Sequence, residues 1–249
     1  MKILTIAMCV SIAMLFAATA GATDETKSDA KPDTATAPQA SANVAKPAAR
    51  PVYQPPKLGK PARTVGGGSR GSRDKVPALF VVAPEHVGRT SSPNPSLFWF
   101  VDRVPDSSIR VEFTLLDEDS IEPLVEAVLP TPKRAGVHRI RLSDHGVKLD
   151  PGAEYEWSVS LVLDSNERSK DIVATSWIDR IPESGELKSR LASEGATAAV
   201  FAEEGLWYDA IGALSDEIDG DPSNVQLAEQ RADLLRQVGL DVIVAGAAQ

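Results

Sequence analysis

The chain has 249 residues, of which 43% are hydrophobic, 24% are charged and only 5% are aromatic. This composition can build at least one buried core, which excludes a wholly disordered protein. The 17 glycines and 18 prolines follow no fixed period and there is one cysteine, so collagen-like and disulfide-rich classes are excluded as well.

The N-terminus has the pattern of a secretory signal peptide. A positive charge at Lys2 precedes an apolar run over residues 3–18, and small residues follow at positions 20–22. The apolar run is shorter than the roughly 20 residues that a helix needs to span a bilayer. We therefore expect residues 1–22 to be removed on export. The mature protein is then periplasmic or secreted and has no membrane span.

The remaining chain offers little for binding a metal or a cofactor. Cys9 lies inside the signal region, so the mature protein has no cysteine for disulfides, thiolate chemistry or zinc. The three histidines, His86, His138 and His145, have neither the H-x-H nor the H-E-x-x-H spacing of a metal site. We predict no metal and no cofactor.

Charge divides the chain into a basic tether and an acidic body. Residues 46–75 have eight Lys or Arg and one acidic residue, whereas residues 76–249 have 15 basic and 30 acidic residues. An acidic body repels nucleic acid, so nucleic acid is not an expected partner. Residues 23–74 are rich in Pro, Gly and Ala and poor in large apolar residues, which predicts a disordered linker that becomes extended from Tyr53 onward.

Residues 75–182 are predicted to form an antiparallel β-sandwich. Apolar residues alternate with polar ones here, as in Tyr155, Trp157 and Val159 opposite Glu154 and Glu156. One-sided sheets of this kind bury their apolar faces against each other, in the manner of immunoglobulin-like or fibronectin-like domains. The predicted strands cover residues 78–83, 97–101, 109–116, 123–129, 137–142, 153–163 and 171–178.

Residues 183–240 change to helical periodicity and contain a repeat at a spacing of 34 residues, typical of tetratricopeptide repeats. The repeat matches Ala198, Val200, Phe201, Gly205 and Leu206 with Ala232, Leu234, Leu235, Gly239 and Leu240. The pattern predicts three helices, over residues 186–204, 207–218 and 222–238, and a disordered tail over residues 241–249. The fold class is therefore α+β. Fewer than three repeats do not stand alone, so the sandwich, a second copy of the chain or another protein must cover the apolar helical faces.

Gly66-Gly67-Gly68-Ser69-Arg70-Gly71 contains both G-x-G-x-x-G and G-x-S-x-G. Dinucleotide and nucleophile-elbow chemistry both need a preceding strand and a following helix, whereas here a Pro-rich stretch precedes and a strand follows. The acidic cluster Asp117-Glu118-Asp119 lacks the spacing of a calcium loop and is interpreted as a hairpin turn.

Several motifs together resemble the bacterial family catalogued as domain of unknown function 928. The resemblance covers residues 53–240 and rests on Gly66-Gly67-Gly68-Ser69-Arg70-Gly71, Pro95-Ser96-Leu97-Phe98-Trp99-Phe100, Tyr155-Glu156-Trp157, Ser176-Trp177-Ile178-Asp179-Arg180 and Trp207-Tyr208-Asp209-Ala210. It implies an exported protein without an assigned activity, and it transfers no catalytic residues.

The sequence favours a non-catalytic protein-interaction or envelope-assembly module with a protein partner in the cell envelope. The predicted partner-binding groove contains Trp207, Tyr208, Asp209 and Arg236. The first alternative is a carbohydrate- or cell-wall-binding module that uses exposed tryptophans and the basic tether. The second alternative is an uncharacterised hydrolase, although no nucleophile, metal cluster or cofactor loop is apparent.

Overall fold

Two β-sheets form the body of the protein. The structure, a computed structural model, describes residues 50–56 and 76–247. Within these ranges a three-stranded sheet has the order β1-β3-β6 and a five-stranded sheet has the order β2-β8-β7-β4-β5. The strands are β1 (Leu79–Val81), β2 (Gly88–Thr90), β3 (Ser96–Val101), β4 (Arg110–Asp117), β5 (Val125–Leu129), β6 (Gly136–Arg141), β7 (Glu154–Val162) and β8 (Ile172–Arg180).

Alternating side chains place the core between the two sheets. In β7, Trp157 and Val159 are fully buried and lie on the inner face of the five-stranded sheet. Val159 is in register with Phe113 of β4, which is equally buried. Because each sheet buries one apolar face, the inner residues of both belong to a single hydrophobic core. All seven predicted strands coincide with observed strands to within two residues at each end.

The eighth strand, β2, was not expected from the sequence. It has only three residues, which is too short to show an alternating pattern. It pairs parallel to the end of β8, so that Gly88 is in register with Ile178. A side chain at Gly88 would lie 2.7 Å from the Tyr208 ring, so this position has room only for glycine.

Five helices follow the sheets in the described ranges, which makes the protein α+β. They are α1 (Gly185–Glu194), α2 (Ala198–Glu203), α3 (Trp207–Gly220), α4 (Val225–Gln237) and α5 (Asp241–Ala247). The prediction of one helix over residues 186–204 is wrong, because Gly195 at φ +86° ends α1 and Thr197 caps α2. The helix predicted from residue 222 begins at Val225, where Asn224 accepts hydrogen bonds from the next turn.

The prediction of a disordered tail over residues 241–249 is also wrong for residues 241–247, which form α5. Ile243 is fully buried, and the backbone of Gly246 approaches Phe100 of β3 so closely that a Cβ atom would lie 2.5 Å from the ring. On the same outer face of β3, the Arg139 guanidinium lies over the Phe98 ring and pairs with Asp216 of α3 at 2.5 Å. The helices therefore cover the second face of β3.

Each copy of the 34-residue repeat contains a glycine turn that joins two helices. Gly205 joins α2 to α3 at φ +72°, and Gly239 joins α4 to α5 at φ +78°. The residue after each glycine donates a backbone hydrogen bond to the residue four before that glycine, at 2.9 Å from Leu206 to Phe201 and 3.0 Å from Leu240 to Leu235. The repeated residues thus form the same helix-turn-helix element twice.

Residues 50–56 lie in the linker that the sequence predicts to be disordered before Tyr53 and extended from Tyr53 onward, and the structure packs this segment against the helices. Tyr53 is buried, and the Gln54 amide donates to the Ala202 carbonyl at 3.0 Å. The rest of the predicted linker and the predicted signal peptide lie outside the described residues. In the ranges that are described, no helix combines the length and apolar character needed to cross a membrane.

Gly205→Ala is expected to lower the free energy of unfolding by about 2 kcal/mol more than Gly239→Ala, the typical cost of forcing extra atoms into a filled space. Both substitutions place a side chain at positive φ, which costs roughly 1–2 kcal/mol. Only the Cβ at position 205 would meet another backbone atom, the Gln54 carbonyl oxygen at 2.7 Å, whereas nothing lies within 4 Å at position 239. Urea unfolding of both variants measures the difference. Equal losses would contradict the packing of Gln54 on this turn.

Candidate functional site

Helix α3 joins the helices to both sheets through two adjacent aromatic residues. Trp207 is fully buried, and its indole N–H donates to the Val82 carbonyl at 3.1 Å, close to the end of β1. Tyr208 is also buried, and its hydroxyl accepts from Trp157 Nε1 at 2.9 Å. The same hydroxyl donates to the Trp177 carbonyl at 3.0 Å. One residue pair thus fixes α3 against β1, β7 and β8.

This geometry changes the role of the predicted partner-binding residues. Trp207 and Tyr208 both pack against the chain's own sheets with almost no exposed surface, and of the two only Tyr208 reaches the wall of an open cleft, described below. Burial raises the pKa of the Tyr208 hydroxyl to about 12, so this group stays a neutral hydrogen-bonding residue. The predicted groove around these two rings is therefore filled by the β body.

The other two predicted residues lie in separate places. Arg236 is exposed on α4 and pairs with Asp233 at 2.8 Å. It lines neither the cleft that contains Tyr208 and Asp209 nor the cleft beside Tyr53. Asp209 follows Tyr208 on α3 and contacts the loop after β2. The structure keeps Tyr208 and Asp209 together and separates Arg236 from them.

Asp209 is a carboxylate in a mostly desolvated position. Its two oxygens accept from the Thr90 hydroxyl at 3.1 Å and from the Ser91 amide at 2.8 Å. Burial raises the pKa of Asp209 to about 6, although these hydrogen bonds act in the opposite direction. Asp209 therefore links α3 to β2, and burying its negative charge costs folding free energy.

Asp209→Asn is expected to change how stability depends on pH. The folded-state pKa of Asp209 lies above its ordinary value of 3.8, so the folded protein binds the proton more tightly than the unfolded chain does. Wild-type stability relative to the variant should fall as pH rises from about 4 to about 6, by about 3 kcal/mol in total, and then stay level. Urea unfolding across this pH range measures it. A constant difference would contradict the buried carboxylate.

Next to Asp209 lies an open cleft with a volume of about 450 Å³. The loop between β2 and β3 forms one wall and α3 forms the other. We call it the acidic cleft, and its principal lining residues are Ser92, Asn94, Phe201, Asp209, Ala213 and Glu217. The Ser92 hydroxyl accepts from the Asn94 amide, and the Asn94 side chain donates to the Val147 carbonyl. The loop wall is therefore held by its own hydrogen bonds.

The electrostatic character of the acidic cleft comes from α3 and its neighbours. Between Glu183 and Asp221 the chain has ten acidic and two basic residues. Asp216 and Glu217 stand at the rim, and Asp216 is engaged by Arg139. Phe201 and Ala213 supply apolar surface beside these carboxylates. The cleft thus combines a small apolar area with negative charge.

Two observations limit the chemistry of this site. In residues 50–56 and 76–247, no group of three or more His, Asp or Glu side chains is placed to hold a metal ion. The cleft wall formed by these residues contains no histidine or lysine.

The sequence did not indicate Ser92, Asn94, Phe201 and Glu217 as site residues, because no motif links the loop after β2 to α3 more than 100 residues later. The one feature of the sequence that pointed to this cleft was the acidic composition of the helices.

The fold and the cleft define a class, an α+β protein with a two-sheet β body and a helical C-terminal part that bears an acidic cleft. The family model described as Domain of Unknown Function (DUF928) matches residues 65–247. The chain therefore belongs to the domain of unknown function 928 family, as the sequence motifs predicted.

No curated protein matches the chain. Among solved structures, the chain is similar to the fn3 domain of the human collagen alpha-1(XX) chain, with 11% sequence identity and a TM-score of 0.27. That match covers 47% of this chain and 90% of the collagen domain.

Proposed function

We propose that this protein is an exported, non-catalytic protein-interaction module of the cell envelope and that the acidic cleft is its binding surface. The observation that carries the proposal is an open cleft that joins apolar side chains to the carboxylates of α3. Such a cleft fits a partner segment with Lys or Arg side chains, because opposite charges steer the encounter and select the partner. Apolar burial against Phe201 supplies affinity.

The finer architecture that we propose supports this role. The two sheets are interpreted as a fibronectin-like sandwich and the helices as a tetratricopeptide-like unit. The second interpretation is favoured by the equivalent turns at Gly205 and Gly239 and by the two helix pairs they connect. Helical repeats of this kind commonly expose extended binding surfaces. A fold alone does not determine a function, so the proposed binding role rests mainly on the acidic cleft.

A binding role suits the cleft better than hydrolysis does. Both Asp209 oxygens already accept hydrogen bonds from Thr90 and Ser91, so the carboxylate has structural partners. A nucleophilic serine needs an adjacent general base, and the described lining offers no histidine or lysine in that position. Export is proposed from the signal-peptide pattern of residues 1–22, and the acidic charge of residues 76–249 disfavours nucleic acid as the partner.

Charge reversal at the rim tests the proposal. Glu217→Lys places a positive charge in the acidic cleft, and Glu229→Lys makes the same change on the exposed surface of α4. We expect Glu217→Lys to weaken partner binding at least about tenfold and Glu229→Lys to have little effect. Quantitative pull-downs from envelope extract compare both variants with wild type.

A photo-cross-linking residue at Ala213, on the cleft wall, identifies what occupies the cleft in these pull-downs. The proposal predicts cross-links to segments that contain Lys or Arg, and it predicts that Glu217→Lys removes them. Identical retained proteins for wild type and both variants would contradict the proposal. Circular dichroism of each variant provides the folding control.

A carbohydrate- or cell-wall-binding function is the second candidate. Trp99, Trp157 and Trp207 are all buried, whereas Trp177 is partly exposed on the outer face of the five-stranded sheet, in register with Glu156. One partly exposed tryptophan is a small platform for a sugar ring. Sedimentation with isolated peptidoglycan tests it. Wild-type binding that Trp177→Ala abolishes, while Glu217→Lys leaves it intact, would favour this candidate over the acidic cleft.

A further inference from the structure

Residues 50–56 are held by contacts of the kind that bind a peptide from another molecule. The side-chain amide of Gln237 on α4 acts as a clamp on the extended backbone. Its oxygen accepts from the Tyr53 amide at 2.7 Å, and its nitrogen donates to the Pro51 carbonyl at 3.1 Å. One residue further on, the backbone N–H of Gln54 donates to the Ala202 carbonyl at 3.0 Å. Main-chain recognition of this kind accepts any segment that can be extended at these positions.

Tyr53 is the side-chain anchor of the segment. It is 7% exposed, and its ring meets the Trp207 ring edge-on with centroids 5.3 Å apart. On its other side it stacks on His86 at 5.8 Å, and its hydroxyl lies 3.3 Å from His86 Nε2. His86 Nδ1 lies 2.9 Å from the Val87 carbonyl and donates to it, which leaves Nε2 to accept from the tyrosine. Aromatic anchors that are buried in this way usually dominate binding energy.

The groove continues beyond the segment. A cleft of about 320 Å³ lies beside Tyr53 and Pro55, and its other walls include Pro84, Glu85 and Val238. Arg50 at the opposite end pairs with Asp233 at 3.3 Å, and both of these side chains are well exposed. This ion pair contributes little because water screens it. Affinity therefore comes from Tyr53 and the Gln237 clamp.

We infer that this groove is a recognition site for an extended polypeptide segment with a tyrosine flanked by prolines, and that residues 50–56 occupy it as an intramolecular ligand. A segment of the same chemistry on another polypeptide then displaces residues 50–56. We call the site the segment groove, defined by Ala202, Gly205, Trp207, Gln237 and His86. It shares no residue with the lining of the acidic cleft, so it goes beyond the proposed function.

Residues 50–56 are covalently joined to the rest of the chain, so a free peptide must compete with them for the segment groove. Nineteen residues separate Pro56 from Val76, the next described residue, and such a tether gives an effective concentration on the order of millimolar. A competing segment in free solution must exceed that concentration or bind more tightly. Weakening the intramolecular ligand should therefore open the groove to a peptide without altering the groove's own polar contacts.

The test uses the full chain and a fluorescein-labelled synthetic peptide with the sequence of residues 47–57. Fluorescence anisotropy measures its binding to wild type, to Tyr53→Ala and to Tyr53→Ala combined with Gln237→Ala. We expect Tyr53→Ala to bind at least about tenfold more tightly than wild type, and the added Gln237→Ala to remove that gain. A peptide with alanine in place of its tyrosine should not bind. Failure of folded Tyr53→Ala to bind the wild-type peptide would overturn the inference.

A second design covers the case in which Tyr53→Ala does not fold. A specific protease site placed between Gly67 and Gly68 of the otherwise wild-type chain makes residues 50–56 a separate ligand after cleavage. The inference predicts that the N-terminal fragment co-elutes with the body and that excess labelled peptide replaces it. Release of the fragment without peptide binding would overturn it. Glu217→Lys should change neither experiment, so the two sites can fail independently.

Discussion

Trp207→Ala is expected to lower the free energy of unfolding by about 3–5 kcal/mol, as large-to-small changes of buried aromatic residues generally do. Trp207 has no exposed surface, and its ring fills the space between α3, Tyr53 and the end of β1. The variant also leaves the Val82 carbonyl without its donor, which adds a desolvation cost. Urea unfolding followed by circular dichroism measures the loss.

Trp177→Ala is the matched control for this experiment. Trp177 is partly exposed on the outer sheet face, so its removal creates less cavity and should cost clearly less. A loss below about 1 kcal/mol for Trp207→Ala, or an equal loss for both variants, would contradict the docking of α3 on the sheets.

Tyr208→Phe is expected to cost about 2–4 kcal/mol, although it removes only one oxygen atom. The hydroxyl satisfies two groups at once, the Trp157 indole N–H and the Trp177 carbonyl. Each buried group left without a partner costs roughly 1–3 kcal/mol. The tyrosine ring stays, so the packing against Gly88 is preserved. Unfolding in urea, followed by circular dichroism, measures the effect.

Tyr155→Phe provides the comparison. Tyr155 is equally buried, but its hydroxyl accepts a single hydrogen bond, from the Asp150 amide at 2.7 Å. We expect a smaller loss there. In addition, Trp157→Phe and Tyr208→Phe should be non-additive, since both break the same bond. Equal costs for the two tyrosine variants together with full additivity would show that the Tyr208 hydroxyl does not bridge the sheet and the helix.

The β body could be predicted because its signal is local. In β4 and β7 every second residue is apolar and buried, and a period of two is visible in a few residues of sequence. β2 gives no such signal, because its three residues are positioned by pairing with β8 and by Tyr208 against Gly88. Tertiary contacts, and not local preference, produce that strand.

The helices were predicted in type but not in number. Periodicity continues across the break at Gly195, so α1 and α2 read as one helix. α5 is short and rich in small residues, which resembles a tail in sequence. It is stabilised by Ile243 in the core and by the approach of Gly246 to Phe100. Those contacts join residues far apart in the chain.

The candidate site was predicted only in part. Trp207, Tyr208 and Asp209 were recognised as important, yet helical periodicity cannot tell whether a partner or the chain's own sheet covers an apolar face. The acidic cleft depends on Ser92 and Asn94 lying opposite α3, and the segment groove depends on Gln237 reaching Pro51 and Tyr53. Neither arrangement has a signal in local sequence.

Helix α3 belongs to the β core on one side and forms the wall of the acidic cleft on the other. Native-state amide hydrogen exchange in increasing urea tests this claim residue by residue. We predict that the amides of α3 around Ile211 and Leu214 exchange only through the same global opening as those of β7 around Trp157 and Val159. Exchange of α3 through a separate opening of much lower free energy, with β7 still protected, would contradict the account.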